Sequence, residues 1–94
     1  MSLLGLDEVE ERLKGLDSWT YKDKSLIKDF SFDDFASALG FVNKVGGFAE
    51  EAGHHPDILL YSWNKVRVTL STHSEGGVTE KDFLLAERID RLRG

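Results

Sequence analysis

The sequence contains no cysteine and a single proline among its 94 residues. A chain without cysteine forms no disulfide, no thiolate zinc site and no cysteine nucleophile. No apolar run approaches the roughly 18 residues that a membrane-spanning helix needs, and the first residues lack the basic and apolar regions of a signal peptide. We therefore expect a soluble, cytoplasmic protein that does not contact a membrane.

Positive charge is also scarce, since 12 Lys and Arg residues stand against 17 Asp and Glu residues and the net charge is −5. Nucleic acids are bound by basic surfaces, so this balance disfavours direct nucleic-acid binding. The length suits one modest core, and a composition of 40% hydrophobic and 11% aromatic residues is typical of a packed chain. Without repeats or linker-like stretches, residues 1–94 are predicted to form a single domain.

Helix and strand patterns alternate along the chain. A capping-box pattern at Asp7 predicts a helix to about residue 14, a start signal at Ser31 opens a long amphipathic helix that Gly53 ends, and Thr79 opens a third helix. Aromatic and β-branched residues between them predict two strand pairs, at 19–21 with 26–30 and at 58–63 with 66–73. The order α-β-β-α-β-β-α predicts a two-layer α+β domain, with three helices on one face of a four-stranded antiparallel sheet.

The second strand pair determines where the histidines lie. If Asn64-Lys65 is a two-residue turn, Tyr61 pairs with Val68 and Pro56 falls opposite His73, with apolar side chains of both strands on one face. Directly opposed residues have Cβ atoms about 4.5–5.5 Å apart. This pairing therefore predicts that the three histidines of the chain converge, namely His54, His55 and His73.

Histidine suits proton transfer near neutral pH, because its ordinary pKa of about 6.5 leaves both forms available. The cluster is therefore interpreted either as an acid–base site or as a structural or incidental grouping. Glu50 and Asp57 could add oxygen ligands, but their spacing matches no strong zinc pattern, and no metal site is predicted. Asp82, the third residue of the last predicted helix, is expected to cap backbone N–H groups there.

These residues resemble the pattern of a known family. Glu50-x3-His54-His55-Pro56, followed at set spacings by Trp63, His73 and Asp82, is similar to the pattern of the pterin-4a-carbinolamine dehydratases. The segment 64–73 (NKVRVTLSTH) also resembles that family's hairpin and second active-site strand. The likeness covers nearly the whole chain. One departure is the six-residue spacer before Trp63, where many relatives have five residues before Tyr, and it puts the pairing of residues 58–62 in doubt.

The resemblance implies dehydration of 4a-hydroxytetrahydropterin, such as 4a-hydroxytetrahydrobiopterin, to the quinonoid dihydropterin and water. This reaction recycles the pterin cofactor of aromatic amino-acid hydroxylases. It implies no cofactor of the enzyme's own, a homodimer or homotetramer, and no choice of acid or base among the histidines. The site residues implied are catalytic His54, His55 and His73, with Glu50, Pro56, Ser71, Thr72 and Asp82 binding the substrate.

Two other functions stay open at this point. One is a protein-interaction module, because animal relatives in this family also act as dimerisation cofactors of a homeodomain transcription factor. The other is an enzyme that acts on a different pterin, for instance in molybdopterin or folate-related metabolism. Retention of all three histidines favours an enzyme over a module that only binds.

Overall fold

A computed structural model describes residues 3–93 and contains a four-stranded antiparallel sheet with three helices. The strands lie in the order β1-β2-β4-β3, which confirms the predicted α+β class and element order. Within the described residues, no helix is both long enough and apolar enough to cross a membrane. The elements are α1 (Leu6–Leu13), β1 (Thr20–Lys22), β2 (Ser25–Ser31), α2 (Phe35–Ala52), β3 (Asp57–Tyr61), β4 (Lys65–Leu70) and α3 (Glu80–Arg93).

The core lies between the helices and one face of the sheet. Alternating residues of β4 point into it, because successive side chains of a strand face opposite sides. The opposite face carries Asp29, Leu59 and Arg67, which are exposed. The buried core residues of the central strands are Leu26, Phe30, Val66, Val68 and Leu70, and those of α2 and α3 are Ala38, Phe41, Val45, Ala49, Phe83, Leu85, Ala86 and Ile89.

The helix ends follow the predicted chemistry only in part. Asp34 is the N-cap of α2, and its Oδ1 accepts a 2.7 Å hydrogen bond from the Ser37 N–H. Ser31, the predicted start, is instead the last residue of β2, because it pairs with Lys65 in the sheet. The predicted cap at Asp7 is also wrong, since α1 begins after Gly5 without a side-chain cap.

The second hairpin differs from its predicted register. Tyr61 pairs with Lys65 and Ile58 with Val68, so the turn covers residues 62–64 instead of Asn64-Lys65. Ser62 and Trp63 adopt positive φ angles of 48° and 56°. The shift of three residues reverses the faces of β3, which leaves Leu59 53% exposed and Trp63 60% exposed, while Ile58 and Leu60 pack on the core.

Tertiary contacts explain this register. Asn64 is fixed against the end of β2, since its Nδ2 donates to the Phe32 carbonyl (3.0 Å) and its own carbonyl accepts from the Phe32 N–H (2.9 Å). Asn64 is therefore unavailable as the first residue of a two-residue turn. Strand β4 also ends at Leu70, before the predicted end at His73, and Pro56 precedes the first pair, Asp57 with Thr69. The predicted opposition of Pro56 and His73 is therefore wrong.

Candidate active site

The chain turns sharply at the end of α2, and His54 follows that turn. Gly53 adopts the left-handed conformation (φ 62°, ψ 31°), which glycine reaches without the steric penalty of a Cβ atom. The N–H groups of Gly53 and His54 donate to the carbonyls of Glu50 (3.3 Å) and Ala49 (3.1 Å). This C-cap positions His54 against α3, where its side chain is only 10% exposed.

A buried carboxylate in the first turn of α3 meets His54. Asp82 is fully buried, and its Oδ2 accepts hydrogen bonds from the Thr72 hydroxyl (2.8 Å) and the Thr79 backbone N–H (2.9 Å). Its Oδ1 lies 2.6 Å from His54 Nε2. The predicted capping role of Asp82 is thus confirmed, and the same carboxylate joins the chain after α2 to the chain after β4.

The hydrogen-bond donors around Asp82 determine which nitrogen of His54 carries a proton. An ionised carboxylate only accepts hydrogen bonds, so Nε2 of His54 is the donor to Oδ1. In the neutral ring the lone pair is then at Nδ1, which has no hydrogen-bond partner among residues 3–93. A carboxylate also stabilises an imidazolium that forms beside it. His54 is therefore arranged to accept a proton at Nδ1.

His55 belongs to a separate, exposed pair. Its Nε2 is paired with the carboxylate of Glu50, and the two side chains are 63% and 77% exposed. The two adjacent histidines thus have different carboxylate partners, one buried and one at the surface. Two neighbouring imidazoles therefore have different surroundings, since His54 is nearly buried and His55 is exposed.

His73 lies on the loop that follows β4. It begins a short 3-10 turn, His73–Glu75, is exposed, and makes no side-chain hydrogen bond with another residue of the described chain. The loop is closed just before it, since the Thr72 N–H donates to the Gly77 carbonyl (2.7 Å). Thr72 also donates to Asp82, so His73 directly follows a residue of the buried hydrogen-bond network.

Two further predicted residues are held by their local surroundings. Ser71 Oγ donates to the Lys24 carbonyl (3.1 Å) in the turn between β1 and β2, and Pro56 is half-buried immediately before β3. Thr79, predicted only as a helix start, also belongs to this network. Its hydroxyl lies 2.8 Å from that of Thr72 because the loop folds back, and no local pattern indicates this contact.

A cleft of about 410 Å³ opens beside His54, between the end of α2 and one face of α3. No sequence pattern pointed to it. Of the predicted site residues, His54 alone lines it. Among residues 3–93, no three His, Asp or Glu side chains are grouped closely enough to hold a metal ion. The residues that line the cleft are Ala52, His54, Lys81, Leu84, Leu85, Glu87, Arg88 and Arg91.

The fold and this site define a class, namely small α+β proteins in which a buried carboxylate orients a histidine at the edge of a cleft. Comparison with known proteins identifies the family. Residues 2–92 match the family model described as pterin 4 alpha carbinolamine dehydratase, and the chain belongs to that family.

Relatives that carry the name pterin-4-alpha-carbinolamine dehydratase match almost end to end. The protein of Metallosphaera sedula is 44% identical over 92 residues, which cover 98% of this chain and 95% of the relative. That of Roseiflexus castenholzii is 48% identical over 91 residues, or 97% of each chain. The resemblance stated from the residues is thereby confirmed.

Two solved structures share the fold. A transcriptional coactivator/pterin dehydratase from Brucella melitensis has a TM-score of 0.91 and 39% identity, and the match covers 97% of this chain and 98% of that one. A pterin dehydratase-like protein described as a RuBisCO assembly factor in the alpha-carboxysome has a TM-score of 0.66 and 28% identity, covering 81% and 87%. The fold therefore occurs in proteins described with other roles.

Proposed function

We propose that this protein dehydrates 4a-hydroxytetrahydropterins, with 4a-hydroxytetrahydrobiopterin as the expected example, and so recycles the pterin cofactor of aromatic amino-acid hydroxylases. Family membership supports the reaction class. The observation that carries the catalytic part is the bond between His54 Nε2 and the buried Asp82 carboxylate, because it leaves Nδ1 of a nearly buried imidazole free to accept a proton. No cofactor is needed for this chemistry.

The dehydration requires one proton donor and one proton acceptor. The C4a–O bond breaks and the hydroxyl group leaves as water after it takes up a proton, while N5 loses its proton and its bonding pair forms the new C=N bond. We assign proton removal to His54, because Asp82 stabilises its imidazolium. Protonation of the hydroxyl falls to His73, whose ring has no side-chain partner among residues 3–93. His55, paired with Glu50, orients the ring.

The remaining predicted residues receive supporting roles in this proposal. Thr72 and Asp82 are positioning residues, because their side chains are buried and bonded to each other. Glu50 and Ser71 hydrogen-bond the pterin, and Pro56 shapes the loop between α2 and β3. Residues 1–94 act as a single cytoplasmic domain that does not bind nucleic acid directly, as the acidic composition predicts.

The three histidines provide the direct test of this mechanism. In a stopped-flow assay with 4a-hydroxytetrahydropterin, His54→Ala, His55→Ala and His73→Ala should each slow dehydration, by about 10²-fold or more for a lost acid or base. Circular dichroism of each variant checks that it folds. Rates like the wild type in all three folded variants would remove the proposed mechanism.

A second copy of the chain is the proposed partner, forming a homodimer or homotetramer. Phe35 and Leu39 lie one turn apart on α2 and are 52% and 44% exposed, and exposed apolar side chains grouped on one helix face favour association. Sedimentation analysis should show an oligomer that Leu39→Asp weakens. Leu59→Asp, a matched change on the open face of the sheet, is the control. A wild-type monomer at micromolar concentration would contradict the proposal.

A protein-binding role is the second candidate function. The structural relatives described as a coactivator and as an assembly factor favour it, and the same apolar residues of α2 offer a surface. The dehydration assay separates the two candidates, since a protein that only binds has no dehydratase activity for the histidine variants to lose. Activity on another pterin, such as one of molybdopterin metabolism, is compared in the same assay.

A further inference from the structure

The cleft beside His54 carries positive charge although the chain as a whole has a net charge of −5. Lys81, Arg88 and Arg91 all line it. Their spacing of seven and then three residues places them along one face of α3, because 3.6 residues make one helical turn. A line of cations on an acidic protein, next to a group proposed to handle protons, suggests a ligand that is itself anionic.

Of these three cations, Arg88 already has partners within the chain, and the other two are available for a ligand. Arg88 donates to Glu51 (2.7 Å) and stacks over Phe48, with its guanidinium carbon 4.2 Å from the ring centroid. Lys81 and Arg91 have no ion-pair partner within residues 3–93. Glu87 also lines the cleft. When Glu51 and Glu87 are both counted, the cations still outnumber the carboxylates by three to two.

The rest of the lining suits an aromatic ring with an aliphatic substituent. Ala52, Leu84 and Leu85 supply apolar surface, and Leu84 is 51% exposed. His54, nine-tenths buried, also lines the cleft, and one of its ring nitrogens has no hydrogen-bond partner in the described chain. A histidine with an unpartnered ring nitrogen and exposed apolar side chains around one cleft are features that a bound ligand would satisfy.

The spacing along α3 indicates the length of the ligand. His54 is bonded to Asp82, and Arg88 and Arg91 follow Asp82 by six and nine residues. At 1.5 Å per residue, they lie about 9 Å and about 14 Å further along the helix. A bicyclic ring at His54 with a short side chain reaches this distance with the terminal group of that chain.

We infer that the cleft binds a phosphate at the end of a pterin's side chain, so that a phosphorylated reduced pterin binds more tightly than the same pterin without phosphate. Phosphate fits because the planar guanidinium of arginine donates two parallel hydrogen bonds to its oxygens. The inference rests on the proposed function for the position of the pterin ring at His54. It adds a specificity site on α3 that lies beyond the histidines themselves.

The test compares two ligands that share the ring and differ only in phosphate, namely dihydroneopterin and dihydroneopterin monophosphate, by isothermal titration calorimetry. The wild type should bind the phosphorylated ligand about tenfold more tightly, as expected for charge-assisted hydrogen bonds at a partly exposed site. Arg91→Gln should remove most of this preference, because Arg91 is the unpaired cation at the distance that the phosphate reaches. Lys22→Gln on β1 removes one charge elsewhere and should leave the preference unchanged.

The outcomes separate this inference from the proposed function. Equal binding of both ligands to the wild type, or a preference that survives in the Arg91→Gln variant, overturns the phosphate site even if dehydration is rapid. A preference that the Arg91→Gln variant loses, in a protein without dehydratase activity, supports the site and refutes the proposed reaction. Lys22 and Arg91 are exposed, so the variants should fold.

Discussion

Replacement of Asp82 by Asn tests the positioning of His54 with almost no change in shape. The single oxygen of the new amide, in the place of Oδ2, still accepts from the Thr72 hydroxyl and the Thr79 N–H. The NH2 group then faces His54 Nε2, and because two donors cannot share a hydrogen bond, the imidazole must move its proton to Nδ1. The lone pair at Nδ1 is thereby lost, and with it the proposed base.

The structure sets the expected magnitudes. Asp82 is fully buried and three donors point at it. Exchange of these charged hydrogen bonds for weaker neutral ones should cost about 2–4 kcal/mol of stability. For a domain of this size each kcal/mol lowers Tm by roughly 4–8 °C. Loss of a general base should slow dehydration by about 10²-fold or more.

The assay is stopped-flow dehydration at a temperature where the variant is folded, with KM and the pH profile measured alongside. We expect kcat to fall with little change in KM. The part of the pH profile of kcat that depends on the proton acceptor should also change. Asp90→Asn is the matched control, since Asp90 is also on α3 and accepts from Trp19 (3.0 Å) and Lys28 (2.9 Å). It should reduce stability but not kcat. A folded Asp82→Asn variant with wild-type kcat would refute the reasoning.

Three further predictions concern stability. Lys28→Met should lower the free energy of unfolding in urea by about 1–3 kcal/mol, because the Lys28 side chain is only 11% exposed and its partner Asp90 loses a donor. An unchanged unfolding midpoint would contradict this. The Arg67 hydrogen bond holds the pKa of Asp29 below its ordinary value of 3.8, so this stabilisation is present above pH 4 and is lost as pH falls through the lowered pKa. Asp29→Asn should therefore lower Tm more at pH 7 than at pH 3, and an equal loss at both would count against the pair. Trp63→Asn should change the free energy of unfolding by less than about 0.5 kcal/mol, because Trp63 is 60% exposed and its backbone adopts a positive φ angle. A loss of several kcal/mol in chemical unfolding would mean that Trp63 is a core residue.

Local patterns were sufficient for the elements and for part of the site. The apolar periodicity of α2 and the stop at Gly53 depend on residues a few positions apart, and these interactions form in the same way wherever the helix packs. The same holds for the start of α3 at Thr79 and for the cap that Asp82 provides. Histidine chemistry could likewise be proposed from residue type and spacing alone.

The register of the second hairpin could not be predicted from hydrophobicity, because β3 is apolar on both faces. Ile58 and Leu60 form one side, and Leu59 and Tyr61 form the other, so a shift by an odd number of residues still buries apolar groups. Contacts at the end of β2 select between them, since Phe32 holds Asn64 within the turn.

The amino-acid sequence by itself determined the helices, the strands, the α+β order and the set of ionisable groups, since these follow from short-range periodicity and composition. Only the tertiary structure decided which groups meet. Thr72 and Asp82 are ten residues apart, and Asp82 and His54 are 28 apart. Contacts across such separations form only when helices and strands pack together, because loop closure and burial determine those distances and short-range interactions do not. The cationic cleft along α3 forms in the same way, where the end of α2 packs against that helix.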